Sequence, residues 1–212
     1  MSRPPFVVLH VCLGNICRSP MAERLLASLV ADRVGDDVDP DAYVLSESAG
    51  TSGWHVGERM YRPTLAELQR RGAVEAGFRA RQLTGAHIDT ADLILTATAD
   101  HLAAVQYLRP DAANRSFVLG EFGRLLAGVD GAVIDDTDVR SVTADTGPDA
   151  VYQRGVALVA AVHKARNGTM PGPYDDLQDP WGQPQAVFAR TADTIEATLR
   201  PFVDRLLPVL KG

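Results

Sequence analysis

The pattern of apolar and polar positions divides the chain into alternating strands and helices. Residues 6–11 read Phe-Val-Val-Leu-His-Val, a short, β-branched and nearly continuous apolar run that suits a buried parallel strand. Ser19 and Pro20 then read as an N-cap hydroxyl and a proline at the first helical position, and Ala22, Leu25, Leu26, Leu29 and Val30 recur at helical spacing up to about Arg33. An Asp-rich linker over 35–41 leads to a second strand, 43–48, and a Gly-rich turn, 49–53. A second helix is predicted over 62–71, with Pro63 near its start and Gly72 after its end; a third strand, 91–96, a helix over 100–108 and a fourth strand, 116–119, follow. Residues 148–166 carry helical spacing through Val151, Val156, Leu158, Val159 and Val162, and 167–173 read as loop. Residues 185–210 form an amphipathic helix with Val187, Ile195, Leu199, Phe202, Leu206 and Leu210 on its apolar face and a kink expected near Pro201. The alternation predicts an α/β fold: an open, mainly parallel sheet with helices on both faces and its site at the carboxyl end of the strands.

At 212 residues and 46% hydrophobic, the chain is long enough for one well-buried domain spanning 1–212. A net charge of -6 and a pI near 5.3, without a basic run, argue against nucleic acid or an anionic membrane as partner. No apolar signal segment precedes the first strand and no stretch is long enough for membrane insertion, so a cytoplasmic protein is expected. Both cysteines, Cys12 and Cys17, lie five residues apart, which excludes a disulfide framework and fits a reducing compartment. Neither the five histidines nor the acidic segment Asp130, Asp135, Asp136 and Asp138 has metal-ligand spacing; the segment reads as a solvated loop, and no metal or cofactor is expected. His10, inside the first strand, reads as a satisfied core residue.

The chemistry concentrates between the first strand and the first helix, in Val-Cys-Leu-Gly-Asn-Ile-Cys-Arg-Ser-Pro. Backbone N–H groups at a helix N-terminus point into one concavity and the helix dipole adds positive potential, so such a loop favours a phosphate dianion or other oxyanion. Gly14 permits the tight turn. Cys12 at the loop's start faces those amides and Arg18, which favour the nucleophilic thiolate. Arg18 carries a planar fork suited to two oxygens of a transferring phosphoryl group. Taken alone, Cys-x5-Arg spacing also fits an ordinary strand–loop–helix with a buried cysteine.

The longer stretch Cys-Leu-Gly-Asn-Ile-Cys-Arg-Ser-Pro-Met-Ala-Glu, from Cys12 to Glu23, resembles the signature loop of the low-molecular-weight protein tyrosine phosphatases. Ser48-Ala-Gly-Thr51 with Trp54-His55-Val56-Gly57, Ala80-Arg81-Gln82-Leu83 and Asp179-Pro180-Trp181 are also family-like. The resemblance covers residues 6–120 and 179 onward, leaving an atypical insertion at about 123–177. It implies a three-layer, doubly wound four-stranded parallel sheet of order 2-1-3-4. It also implies a metal-independent phosphomonoesterase acting on a phosphotyrosine-containing protein as monomer or weak dimer, through a cysteinyl-phosphate.

In that resemblance Cys12 is the nucleophile, Arg18 and the loop residues Leu13, Gly14, Asn15, Ile16, Cys17 and Ser19 hold the phosphate, and Ser48 supports the loop. Trp54 and Trp181 wall the substrate cleft, and isoleucine at 16 matches tyrosine phosphatases, whereas related arginine phosphatases carry threonine there. Asp179 is the general acid: Pro180 biases it to an extended backbone, and burial near Trp181 is expected to keep its proton. Asp175 and Asp176 compete for this role but lack the Pro-aromatic pair. As in the family it resembles, Cys17 traps oxidised Cys12 as a reversible disulfide, or else it fills an apolar space behind the loop. The chain departs from the pattern at Phe78, where relatives often place a loop-supporting histidine, at Ala97-Thr98 in place of Met-Asp, and at Gly182 in place of a second rim aromatic. Two other activities stay open: an arsenate reductase that borrows a small-molecule thiol, and a phosphotyrosine-binding module without turnover.

Overall fold

The computed structural model of the chain describes residues 4–73, 77–129 and 147–208. Four strands, β1 (Phe6–Cys12), β2 (Val44–Gly50), β3 (Leu93–Thr96) and β4 (Ser116–Val118), form one parallel sheet in the order β2-β1-β3-β4, as expected. β1 lies in the interior of the sheet and is packed on both faces, which is why it reads as a nearly continuous apolar run. Phe6, Val8 and Cys12 enter the larger core and Leu9 and Val11 the smaller one, the period-2 alternation of a strand.

The larger face is covered by α1 (Arg18–Val34), α2 (Arg62–Arg70), α5 (Leu119–Gly128), α6 (Pro148–Arg166) and α7 (Gln185–Leu206), and the smaller by α3 (Gly85–Thr90) and α4 (Ala99–Leu108). All five apolar positions expected to bind α1 to the sheet are buried. Aromatic rings then link the layers: Phe6 meets Tyr152 of α6 at 6.1 Å and Phe202 of α7 at 6.3 Å, and Phe122 of α5 meets Phe202 at 5.5 Å. α2 is tied to α7 by charge. Glu67, fully buried, accepts from Arg71 at 2.7 Å and from Arg70, and Arg71 reaches Asp193 at 2.6 Å and Glu196 at 2.8 Å.

Several boundaries differ from the sequence expectation. The glycine-rich turn begins as strand: Ala49 and Gly50 extend β2, with Gly50 donating to Arg81 O at 2.9 Å. α1 starts at Arg18, and Ser19 does not cap it, because its hydroxyl serves the loop instead. Two short helices were not foreseen. α3 is closed by Thr84, whose hydroxyl accepts from His87 N, and α5 springs directly from β4, where the Glu121 carboxylate accepts from Val118 N. α6 ends at Arg166, as expected, with Asn167 after it in the left-handed conformation, and α7 runs through Pro201 to Leu206. Leu210 and the aspartates at 130, 135, 136 and 138 lie outside the described residues.

Candidate active site

β1 delivers Cys12 to the carboxyl edge of the sheet and α1 begins at Arg18, so the intervening loop wraps one helix N-terminus. Asn15 adopts φ 54 and turns the loop from beneath: its amide nitrogen donates to Ser19 Oγ at 2.9 Å and Ser48 Oγ at 2.8 Å, and its Oδ1 accepts from Arg81 N at 2.9 Å. Ser19 Oγ lies 3.0 Å from Cys12 Sγ. Gly50 makes this closeness possible, since a Cβ there would stand 2.7 Å from Leu13 O and 2.9 Å from Asn15 N. On the outer side Tyr61 N holds Ile16 O at 3.0 Å.

Two members of this support were not assigned a role from sequence. The Glu23 carboxylate accepts from the Ser48 hydroxyl, and burial raises its proton affinity above the ordinary value, against the opposing pull of that bond and of Arg24. Arg81 adds its Nε to Ser48 O at 2.7 Å and pairs with Glu47 at 3.3 Å. Glu23 carried a signal, the last place of the signature stretch one turn beyond Ser19; Arg81 carried only its place in a family-like tetrapeptide. Phe78 stands apart from this network, buried with the Arg24 guanidinium 6.0 Å from its ring, so Arg81 and Glu23 do the supporting.

The segment that carries Asp179 is hung on the ends of β3 and α4. Leu177 N donates to Ala97 O at 2.7 Å, and Asp176 Oδ1 accepts from Ala99 N at 2.8 Å. Asp175 is buried in an ion pair with Arg124 at 2.8 Å, which holds its carboxyl below the usual carboxylate range. Both sequence competitors of Asp179 are thus engaged away from the loop. Ala97 and Thr98 have structural work of their own, Thr98 capping α4 by accepting from His101 N. Arg18, itself buried, ties the two segments together: Nη1 donates to Leu177 O at 3.2 Å and Nη2 to Asp179 Oδ2 at 2.9 Å. Asp179 Oδ1 accepts from Trp181 N at 3.1 Å, and Gly182 follows at φ 72, a conformation in which an aromatic side chain would be strained. The expected burial of Asp179 does not hold: its side chain is 49% exposed, at the mouth of the cavity, because Trp181 turns outward.

The result is one cavity of about 300 Å³ lined by Cys12, Leu13, Gly14, Ile16, Cys17, Arg18, Asp179, Trp54 and Trp181, with Asn15, Ser19 and Ser48 behind it. His55, part of the family-like stretch after Trp54 but assigned no role there, also lines it; its Nδ1 sits 2.9 Å from Glu58 Oε2. Burial pushes the Cys17 thiol up to about 12 and keeps it protonated at neutral pH. Both cysteines are free thiols. His10, behind the loop, is buried with neither ring nitrogen hydrogen-bonded, contrary to the satisfied residue expected; burial lowers it to about 3, and it is neutral. Among the described residues no cluster of three or more His, Cys, Asp or Glu suits a metal ion, and no helix is long and apolar enough to cross a membrane.

Residues 7–140 match the family model described as low molecular weight phosphotyrosine protein phosphatase, running beyond residue 120, where the resemblance read from motifs stops. A low molecular weight protein-tyrosine-phosphatase of Bacillus subtilis is 36% identical over 99 residues, covering 47% of this chain and 60% of that protein, less than two thirds of its length. Low molecular weight phosphotyrosine protein phosphatase 1 of Drosophila melanogaster is 31% identical over 160 residues, covering 75% of this chain and 96% of that one. Among solved structures, a protein tyrosine phosphatase from Entamoeba histolytica shares the fold with a TM-score of 0.65 at 18% identity, over 95% of this chain and 96% of that chain.

Proposed function

We propose a mechanism for a chain that belongs to the low molecular weight phosphotyrosine protein phosphatase family: as a cysteine-dependent, metal-independent phosphatase, it hydrolyses phosphotyrosine in proteins with Cys12, Arg18 and Asp179 as its reacting groups. The phosphate dianion enters the concavity of loop amides and displaces Asp179 from the Arg18 fork, which then holds two of its oxygens. Negative charge arriving beside Asp179 favours the neutral carboxyl that donation requires. The Cys12 thiolate attacks phosphorus in line; the S–P bond forms as the P–O bond to the phenol breaks, and the Asp179 proton passes to the departing oxygen. Asp179, now a carboxylate, takes a proton from a water whose oxygen attacks phosphorus. The S–P bond breaks, inorganic phosphate leaves, and Ser19 Oγ, 3.0 Å from Cys12 Sγ, stabilises the returning thiolate.

The observation that carries this reading is the Arg18–Asp179 pair at 2.9 Å, which supports it by joining the proposed acid to the proposed phosphoryl-holding arginine beside the cysteine loop. Trp54 and Trp181, both exposed at the rim, offer faces to an aryl ring. A reducing compartment such as the cytoplasm suits an enzyme whose free cysteines both lie in its loop. The test is hydrolysis of phosphotyrosine, phosphoserine and phosphoarginine in chelator by the parent, Cys12→Ser and Asp179→Ala. Preference for phosphotyrosine, a dead Cys12→Ser and a strongly slowed Asp179→Ala support the assignment; a parent inactive on all three refutes it.

A further inference from the structure

Beside the catalytic cavity, and sharing Ile16, His55 and Trp181 with it, lies a more open groove of about 710 Å³. Its charge is unusual for a protein of net charge -6: Arg59, Arg62 and Arg79 all line it, and all three are exposed. None of them takes part in an ion pair with a described residue; Arg79 donates only to the neighbouring Phe78 O at 2.8 Å. Elsewhere on the surface Arg70, Arg71, Arg109 and Arg124 each hold a carboxylate of this chain. The groove's own acidic residue, Glu58, is engaged with His55 on the wall nearest the catalytic cavity. Three guanidinium groups without an ion pair to a described residue thus face a space that opens beside the cysteine loop, and their complement is an anion brought by another molecule.

We propose that this groove is a specificity subsite for an acidic side chain, Glu or Asp, that flanks the phosphotyrosine of a substrate protein. The inference rests on the phosphatase reading above and adds the chemistry of the residues around the phosphorylated one. With the aryl phosphate in the loop and its ring between Trp54 and Trp181, an extended peptide advances about 3.3 Å per residue, so a side chain one to three positions away reaches the adjoining groove. The carboxylate meets the arginines, while the aliphatic stem lies against Tyr61 and the outer edge of Trp181. Exposed pairs of this kind are individually weak and screened by salt, so the effect is graded discrimination among substrates rather than an absolute requirement.

The experiment measures kcat/KM at low salt for phosphotyrosine peptides bearing Glu, Gln or Lys at the three positions on either side, with para-nitrophenyl phosphate as a substrate that has no flanks. The readout is the Glu-to-Gln ratio within each protein, which cancels any general loss of active enzyme. The parent should favour Glu on at least one side by about three- to tenfold and disfavour Lys, and the ratio should fall toward unity in about 0.5 M salt. The double variant Arg59→Gln/Arg79→Gln should lose most of the preference. A parent that turns over para-nitrophenyl phosphate and the Gln peptides but shows a ratio below about twofold overturns the subsite and leaves the phosphatase reading intact. A preference that survives the double variant also overturns it, and a parent inactive on every substrate overturns both.

Discussion

Replacing Arg18 by lysine keeps the positive charge and removes the fork. In the structure the guanidinium uses separate nitrogens for Leu177 O at 3.2 Å and Asp179 Oδ2 at 2.9 Å, so one end group fixes the acid segment and faces the phosphate position together. A lysine ammonium is a single point on a flexible stem. The substitution removes one charge-assisted bond to a transition-state oxygen, about 2–3 kcal/mol, and the bond to the Leu177 carbonyl, about 1 kcal/mol. The sum is about 3–4 kcal/mol, a fall in kcat of roughly 10²- to 10³-fold. The two parts separate by leaving group. A para-nitrophenolate departs with little help from an acid, so Arg18→Lys should lose only the phosphoryl-holding part on that substrate and lose more on phosphotyrosine, where Asp179 must be in place. Single-turnover rates on both substrates, with Asp179→Asn as the control lacking the acid, make the measurement. An Arg18→Lys enzyme within about tenfold of the parent on phosphotyrosine, or an equal loss on both substrates, refutes the view that Arg18 positions the acid.

Gly50→Ala should cost phosphate affinity more than stability, because the new methyl meets the backbone of Leu13 and Asn15; isothermal titration with inorganic phosphate and a melting curve on the same protein check this. Glu67→Gln removes the buried anion that Arg70 and Arg71 share and should lower stability by about 1–3 kcal/mol in denaturant unfolding, since Arg70 is solvated and Arg71 keeps Asp193 and Glu196. Burial opposes ionisation of Glu67, but its arginine bonds outweigh it and hold the carboxyl below the ordinary range, so this contribution is present above about pH 4.3 and lost as pH falls through the lower folded value. His10 and His101 are lowered by burial to about 3 and about 4, so the unfolded chain binds more protons than the native one below about pH 6.5. Stability should therefore fall with acidification in that window, by up to about 1.4 kcal/mol per pH unit for each histidine, and His10→Leu should flatten the slope of unfolding free energy against pH.

The parts legible in the sequence are those whose physics is local. The β1–loop–α1 unit is written in an apolar run, a glycine and a helical repeat that adjoin one another, and the Pro-aromatic pair after Asp179 separates it from Asp175 and Asp176. What escaped was decided at long range. Nothing near Ser19 tells that its hydroxyl turns to Cys12 and Ala49 instead of capping a helix, and Glu23 acquires its role only when β2 brings Ser48 beside it. α3 is a single short helix without room for an apolar period, and α5 follows β4 with no polar cap residue to mark its start. The exposure of Trp181, beside a half-exposed Asp179, is likewise not encoded in the motif. The arginine groove is likewise assembled from chain segments whose individual sequences read as ordinary surface.

The bond from Arg18 to Asp179 spans 161 positions, and Asp179 reaches its place only after the segment before α7 has docked on β3 and α4. A chain emerging from synthesis makes Arg18, at the end of the cysteine loop, 161 positions before Asp179, the proposed proton donor. Oxyanion affinity and turnover should then appear at different moments of folding, the first with the sheet and α1, the second with closure of this distant contact. On the proposed mechanism an immature molecule traps phosphate before it is a catalyst, and hydrolysis is itself a sign that these two distant segments have met.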